Sequence, residues 1–290
     1  MSAKVKKNLI QAGKYISLIL MALVVFVPII SVVFSSFKTK LEYLKTPRFT
    51  PPESFLNFDN YIRVFTDGKI LLGMVNTVII ILGSLVLGLL FGTMTAYVLR
   101  RFQFPGRKII EAAYLIASFI PSVIVHLIVF TVFSKIGLVD TLAAPIIIYA
   151  GVDVVSLYLF MQFISQIPYD LDEAALLEGS SYFGIYKRII LPLLKPAMMT
   201  VAILKITSIY NDFYIAFLYL PGEKKAVMST MLYRFMGPYS SQWNVIAAGI
   251  LVVILPIFII FLIAQKHIYK GFVDGAVKAC LLYTSDAADD

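Results

Sequence analysis

The segment EAALLEGSSYFGIYKRIILP, residues 173–192, differs from the rest of the chain because it is polar and has glycine and proline at points where a helix can bend or begin. It carries two glutamates and a Lys-Arg pair in a protein that is 60% hydrophobic and only 14% charged. A mean hydropathy of +0.87 lies outside the range of soluble globular domains. The segment therefore interrupts what the composition predicts to be a membrane protein.

Six apolar runs are long enough to cross a bilayer. A hydrocarbon core of about 30 Å needs about 20 consecutive apolar residues in a helix, because only intrahelical hydrogen bonds satisfy the backbone in lipid. We therefore predict an all-α polytopic membrane protein with six transmembrane helices, at about 15–37, 70–99, 112–134, 143–164, 197–220 and 245–265. Glycines at 73, 83, 88 and 92 are predicted to let other helices approach the second of these closely.

Basic residues predict the orientation. They concentrate in four segments that alternate along the chain: the N-terminus, 100–108, 187–195 and 266–278. The positive-inside rule assigns these segments to the cytoplasm, with residues 173–192 and both termini. The first outer loop carries cations and acids together, so we discount its positive charge. The chain is thus predicted to be a multi-pass membrane protein with both termini in the cytoplasm.

The same distribution of charge argues against nucleic acid as a partner. The net charge is +8, but the cations sit at helix ends, where topology and snorkelling account for them. The chain has no G-x4-G-K-[ST], H-E-x-x-H or G-x-S-x-G motif, and it has two histidines and one cysteine. We therefore predict no cofactor, no metal site and no enzymatic activity.

Local rules predict two short helices within the polar segment. Asp170 and Glu173 have the spacing of a capping box, which predicts a helix over 171–178. Gly179 suits the left-handed position that ends it, and Ser180 or Ser181 can cap a second helix. Pro192 suits the first turn of the next spanning helix. From pattern alone, two roles remain open: docking into a groove of a cytoplasmic partner, or covering the bundle as a re-entrant or interfacial helix.

The segment resembles the EAA loop of ABC-importer permeases, E-A-A-x3-G-x9-I-x-L-P. The residues in register are Glu173, Ala174, Ala175, Gly179, Ile189, Leu191 and Pro192. Residues 76–108 look like the start of the permease core, and YNDF (210–213) resembles a W-N-[DE]-F stretch with Tyr210 in place of Trp. GFVDGAVK (271–278) resembles the G-x-x-x-G-A-V-K end of maltose-type permeases. The likeness is closest to the shorter, six-helix permease of a carbohydrate importer.

The resemblance implies the ABC transmembrane type-1 fold and a division of the chain. The expected parts are a cytoplasmic N-terminus (1–14), a first transmembrane helix (15–37), an extracytoplasmic loop (38–69), the permease core (70–266), a cytoplasmic C-terminus (267–279) and a tail (280–290). The tail holds the only cysteine and three acids, and it looks like read-through from a cloning adapter rather than native protein.

The resemblance also implies a location in a bacterial cell membrane, partners and a mechanism. The partners are a second permease subunit, a cytoplasmic ATP-binding-cassette ATPase dimer that receives the EAA loop and hydrolyses the ATP, and an extracytoplasmic solute-binding protein that delivers a sugar. The EAA loop is expected to act as a lever that switches the pathway between inward and outward facing.

Four ionisable residues lie within the predicted spans: His126, Asp153, Lys205 and Asp212. Charges in a bilayer are costly, so they are expected to face the bundle interior. Asp153, predicted near the middle of a spanning helix, can pair with Lys205. These two, with Tyr210, Asn211 and Asp212, either line the translocation pathway or fix helix packing. His126 is interpreted as a hydrogen-bonded bundle residue.

The residues are also compatible with other functions. The chain can be an ABC permease for a non-sugar solute, a stand-alone secondary carrier or a polytopic membrane enzyme. The aromatic residues before the last span are interpreted as an interfacial belt, with contact to a binding protein or sugar as the alternative: Tyr233, Phe235, Tyr239 and Trp243.

Overall fold

A computed structural model describes residues 3–236 and 242–285. Tyr239 and the last five residues of the expected tail lie outside these ranges. Within them the chain is helical and contains no strand. The α-helices are α1 (Ala3–Phe37), α2 (Lys40–Lys45), α3 (Asp59–Thr66), α4 (Ile70–Arg101), α5 (Arg107–Ala117), α6 (Ser122–Lys135), α7 (Ala143–Ala150), α8 (Val154–Ser165), α9 (Asp170–Leu177), α10 (Tyr182–Ile185), α11 (Leu191–Leu193), α12 (Lys195–Asn211), α13 (Tyr214–Tyr219), α14 (Met228–Met231) and α15 (Trp243–Ser285).

Three helical stretches are long and apolar enough to cross a membrane: Gln11–Phe37, Ile70–Arg101 and Trp243–Ile263. Three further pairs pass the same test together but are bent, α5 with α6 by 101°, α7 with α8 by 46°, and Tyr182–Leu193 with α12 by 71°. The described residues therefore supply three spans, or up to six if each bent pair is one span.

The runs predicted as continuous helices at 112–134, 143–164 and 197–220 are broken, so that part of the prediction is wrong. The breaks fall at residues that interrupt the hydrogen-bond pattern of a helix. Pro121, which has no N–H to donate, directly precedes α6. Gly151 ends α7, and Asp153 caps α8 by accepting a hydrogen bond from the Ser156 amide, so Asp153 lies at a helix start and not mid-helix. Asp212 follows the end of α12.

The chain divides into two compact units, Met1–Leu71 with Met231–Pro256, and Leu72–Thr230 with Ile257–Asp290. In the first unit a buried amide joins three helices. The Asn60 side chain of α3 donates to the carbonyls of Ser36 and Lys38, both at 2.8 Å, where α1 ends. Asn244 of α15 donates to the Asn60 carbonyl oxygen at 2.7 Å. Because these groups are buried, their hydrogen bonds fix the helix ends together.

Glycines of α4 allow close packing in the second unit, as predicted. A Cβ atom at Gly83 would lie 3.1 Å from Ile146 of α7, and one at Gly92 would lie 3.0 Å from Phe160 of α8. Phe160 belongs to a buried cluster that α4, α8, α9, α10 and α12 build together. This cluster holds residues 170–192 against the bundle.

Candidate functional site

The polar segment forms two short helices joined at a glycine, as the sequence predicts. Gly179 has φ +81°, and its amide donates to the Leu176 carbonyl while the Ser180 amide donates to the Ala175 carbonyl, both at 2.9 Å. These two bonds form a Schellman motif, which requires a left-handed residue. Ser181 then caps α10 by accepting from the Gly184 amide at 3.1 Å.

The capping box expected at the start of α9 does not form. Asp170 lies inside the helix, and Tyr169 occupies the cap position without a side-chain hydrogen bond to the first-turn amides. The Glu173 amide donates instead to the Tyr169 carbonyl at 3.1 Å, so the helix begins one residue before the predicted one. The Tyr169 carbonyl thus takes the place that the Asp170 carboxylate would have in a capping box.

The EAA residues divide between two faces of the segment. Ala175 is buried in the core cluster, whereas Glu173 and Ala174 are exposed. Ile189 and Leu191 pack half-buried against the same cluster, and Pro192 lies in the single turn of α11. The side chain of Leu177 is 91% exposed.

An ion pair that the sequence analysis missed anchors α9. Arg101 Nε lies 3.0 Å from Asp172 Oδ2, and the two side chains are only 3% and 12% exposed. The guanidinium also lies 4.2 Å from the Tyr169 ring centroid and donates to the Ile167 carbonyl at 2.9 Å. The Tyr169 hydroxyl donates in turn to the Arg100 carbonyl at 2.7 Å. Burial raises the pKa of Asp172, an effect that the Arg101 guanidinium opposes.

The predicted pair of Asp153 and Lys205 is present. Lys205 Nζ lies 3.1 Å from Asp153 Oδ2, and it also donates to the carbonyls of Tyr149 at 3.0 Å and Gly151 at 3.2 Å. Lys205 of α12 therefore satisfies backbone groups that the break between α7 and α8 leaves open. A Cβ atom on Gly88 of α4 would lie 3.4 Å from Nζ, so the ammonium sits close to a third helix.

Asp212 lies at the break between α12 and α13, and Tyr149 links it to the break between α7 and α8. Its carboxylate accepts from the Ile215 amide at 3.0 Å, and its carbonyl accepts from the Ser229 hydroxyl at 2.9 Å. The Tyr149 side chain lies beside the Asp212 carboxylate, while the Tyr149 carbonyl accepts from Lys205. The structure thus brings Asp153, Lys205 and Asp212 into one chain of contacts. Tyr149 completes it, but nothing in its sequence context singles it out.

Two cavities lie along this chain of contacts. One, of about 340 Å³, includes Tyr149, Asp153, Ser156, Lys205 and Ser208 in its lining. The other includes Thr77, Tyr149, Tyr210, Asp212 and Ser229. Tyr210 is buried, whereas Asn211 is exposed and its side chain donates to the Thr207 carbonyl at 2.9 Å, within its own helix. Of the predicted pathway residues, Asn211 is therefore the one that the structure places outside both cavities.

His126 packs among aromatic rings. Its Nδ1 lies 3.3 Å from the Tyr219 hydroxyl, and its ring meets those of Tyr214 and Tyr219 edge to face. This agrees with its interpretation as a hydrogen-bonded bundle residue. No group of three His, Cys, Asp or Glu side chains suited to a metal ion occurs within residues 3–236 and 242–285.

Comparison with known proteins gives matches along most of the chain. The family model described as "Binding-protein-dependent transport system inner membrane component" matches residues 85–273. The "Probable starch degradation products transport system permease protein AmyC" of Thermoanaerobacterium thermosulfurigenes is 33% identical over 261 residues, which cover 90% of this chain and 94% of that protein. The "Diacetylchitobiose uptake system permease protein NgcG" of Streptomyces coelicolor is 30% identical over 264 residues, covering 90% and 87%.

A solved structure has the same fold. It is the crystal structure of a bacterial ABC transporter involved in the import of the acidic polysaccharide alginate. One chain of it matches with a TM-score of 0.77 and 22% identity, covering 92% of this chain and 98% of that chain.

Proposed function

This chain belongs to the family of binding-protein-dependent transport system inner membrane components, and from that membership we propose that it is the permease subunit of an ABC importer for a carbohydrate. The observation that carries the proposal is the likeness to AmyC and NgcG over 90% of the chain, because both names describe permeases for saccharides. The chain is a transport component and not itself an enzyme.

In the proposed topology α1, α4 and α15 are spans, α5 with α6 and α7 with α8 form one span each, and α12 with α13 forms another. This gives six spans, leaves residues 173–192 on the cytoplasmic side and makes both termini cytoplasmic. The loop 38–69 then lies outside the cell, next to a solute-binding protein, and residues 70–266 form half of the translocation pathway beside a second permease. The broken helices suit this role, since irregular backbone at membrane depth is tolerated where it is buried or lines a cavity. Asp153, Lys205, Tyr210, Asn211 and Asp212 are proposed to line the pathway.

Residues 173–192 are proposed to couple this pathway to a separate ATPase. The exposed face of α9, with Glu173, Ala174 and Leu177, enters a groove of the ATPase. Ala175 holds the opposite face on the bundle, together with the ion pair between Arg101 and Asp172. Gly179 sets the angle between α9 and α10. When the ATPase moves, α9 moves with it and displaces the broken helices that pack against residues 173–192. Packed interfaces transmit such a movement because they switch between discrete arrangements instead of deforming continuously.

Cysteine cross-linking tests this proposal. In a chain whose single cysteine is replaced (Cys280→Ser), Leu177→Cys should cross-link to a nucleotide-binding subunit when the importer is assembled in membranes. Leu56→Cys is the matched control, because it is a similarly exposed leucine on the loop proposed to lie outside the cell. A Leu56→Cys cross-link of similar yield, or none from Leu177→Cys, would reject the coupling role.

A further inference from the structure

The cavity between α7, α8 and α12 has the size and polarity of a ligand site. Its volume of about 340 Å³ falls at the lower end of the range of small-molecule pockets, about 300–1,000 Å³. Apolar side chains such as Ile148, Val155 and Leu204 contribute to its wall. Its polar groups, however, differ in how many further hydrogen bonds they can make with a ligand.

The Lys205 ammonium has no hydrogen-bond donor to spare. A lysine carries three N–H donors, and this one has three acceptors: the Tyr149 carbonyl, the Gly151 carbonyl and the Asp153 carboxylate. Its side chain is only 11% exposed. An anionic ligand would have to displace a backbone carbonyl to reach the ammonium, which would leave that carbonyl without its partner.

The Asp153 carboxylate, by contrast, faces the cavity with acceptor capacity left. Its side chain is 48% exposed. Oδ2 accepts from the Ser156 hydroxyl at 2.6 Å and from Lys205, whereas Oδ1 accepts only from the Ser156 amide at 2.8 Å. Because a carboxylate offers about four acceptor sites, Oδ1 can take a further donor. Ser208 adds a hydroxyl on the same wall.

We propose that this cavity binds a neutral sugar through its hydroxyl groups and excludes sugars that carry a carboxylate. A sugar hydroxyl donates to Asp153 Oδ1, and the fixed position of Oδ1 makes that contact directional. A uronic acid would place its carboxylate beside Asp153 with no free ammonium donor to compensate, and like charges in contact are unfavourable. This inference rests on the proposed carbohydrate substrate and adds a discrimination between classes of carbohydrate.

Protection of an introduced cysteine tests the inference on the full chain. Ser208→Cys in the Cys280→Ser background, in lipid nanodiscs, is labelled with methanethiosulfonate reagents of either charge. Maltotriose, arabinotriose and raffinose serve as neutral probes, and an alginate trisaccharide serves as the acidic probe. We expect at least one neutral trisaccharide to slow labelling and the alginate trisaccharide to leave it unchanged.

Replacing the carboxylate tests its role. Asp153→Asn should lower the ratio of labelling rates for the positive over the negative reagent by at least about tenfold, because a unit charge a few Å away acts with opposite sign on the two reagents even where water screens it strongly. Because Asp153→Asn also removes the like charge that repels a carboxylate, it should let the alginate trisaccharide protect the introduced cysteine. Glu111→Gln is the matched control, since Glu111 is an acid outside the cavity that pairs with Arg107, and its ratio should not change.

Either of two results overturns the inference: protection by the acidic trisaccharide in the presence of Asp153, or no protection by any neutral probe. The protection assay on Ser208→Cys does not require the Asp153→Asn variant to fold. Nor does it require the ATPase, so a chain that cross-links through Leu177→Cys but shows no protection would refute this site and leave the transport proposal intact.

Discussion

Arg101 Nε lies 3.0 Å from Asp172 Oδ2, and this buried contact joins the last residue of α4 to the first turn of α9. The pair lets a long helix of the second unit hold residues 173–192 directly. A force applied at Leu177 can thus reach α4 without passing through the glycine bend at Gly179. The position of α9 should therefore depend on this contact more than on the exposed EAA residues.

Arg101→Ala should strongly destabilise the second unit. It leaves the Asp172 carboxylate buried without a counter-charge, and breaking a buried pair in this way costs about 3–5 kcal/mol. The double variant Arg101→Met with Asp172→Leu should lose less, because no charge remains buried alone. Unfolding of the purified chain in detergent measures both.

The control is Arg63→Ala, which removes the exposed ion pair between Arg63 and Asp67. Exposed pairs contribute between zero and about 1 kcal/mol, so this variant should unfold nearly as the unchanged protein does. Equal losses from Arg101→Ala and Arg63→Ala would show that the buried contact does not anchor α9.

Gly179→Val should uncouple ATP hydrolysis from uptake. The position has φ +81° with no atom within 4 Å of an added Cβ, so the cost is backbone strain, about 1–2 kcal/mol, and not a clash. Relief of that strain changes the angle between α9 and α10. The number of ATP molecules hydrolysed per sugar imported, measured in proteoliposomes holding the complete importer, should rise.

Gly137→Val provides a matched control for strain. Gly137 has φ +72° and equally open surroundings, but it lies between α6 and α7, outside residues 173–192. Both variants should lose similar stability, and only Gly179→Val should alter the ATP cost of uptake. If both variants alter it alike, general destabilisation explains the effect and the lever role is wrong.

Asn60→Ala should destabilise the first unit by at least about 2 kcal/mol. The change removes both donors to the Ser36 and Lys38 carbonyls and the acceptor for Asn244, and a buried group left without its partner costs about 1–3 kcal/mol. Asn57→Ala removes a bond to the Phe37 carbonyl and an exposed bond from the Asp59 amide, and it should cost less because the Asn57 side chain is only half-buried. Thermal unfolding ranks the stabilities of the two variants. A larger loss from Asn57→Ala would contradict the stabilising role of the Asn60 hydrogen bonds.

Local sequence rules predicted what depends on one residue and its neighbours. The left-handed bend at Gly179 and the cap at Ser181 follow from backbone sterics and capping. The pairing of Asp153 with Lys205 is not local, but the cost of charge in lipid leaves few other partners for either group. The fold class follows from long apolar runs. None of these needs knowledge of how helices are placed in space.

What the sequence did not predict depends on direction and on distant partners. Hydropathy adds up along the chain, so it cannot distinguish one straight span from two helices at 101°. Arg101 appeared only as a topology signal because its partner, Asp172, is far away along the chain and becomes its neighbour only in the fold. Tyr149 lies in an apolar run, and its two contacts are with residues distant in the sequence, Lys205 on α12 and Asp212 just after α12.

Gly92→Val should destabilise the second unit because α4 and α8 touch at that point. An added Cβ would lie 3.0 Å from Phe160 Cε2, and Phe160 is fully buried in the core cluster, so its ring has little room to move away. Overpacking of this kind costs about 1–3 kcal/mol. Gly13→Val on α1 is the control, since no atom lies within 4 Å of its added Cβ. Valine also has the better helix propensity, so the control should be neutral or slightly stabilising. Unfolding in detergent compares the two, and a Gly92→Val protein as stable as the Gly13→Val protein would mean that α4 and α8 are not in contact there.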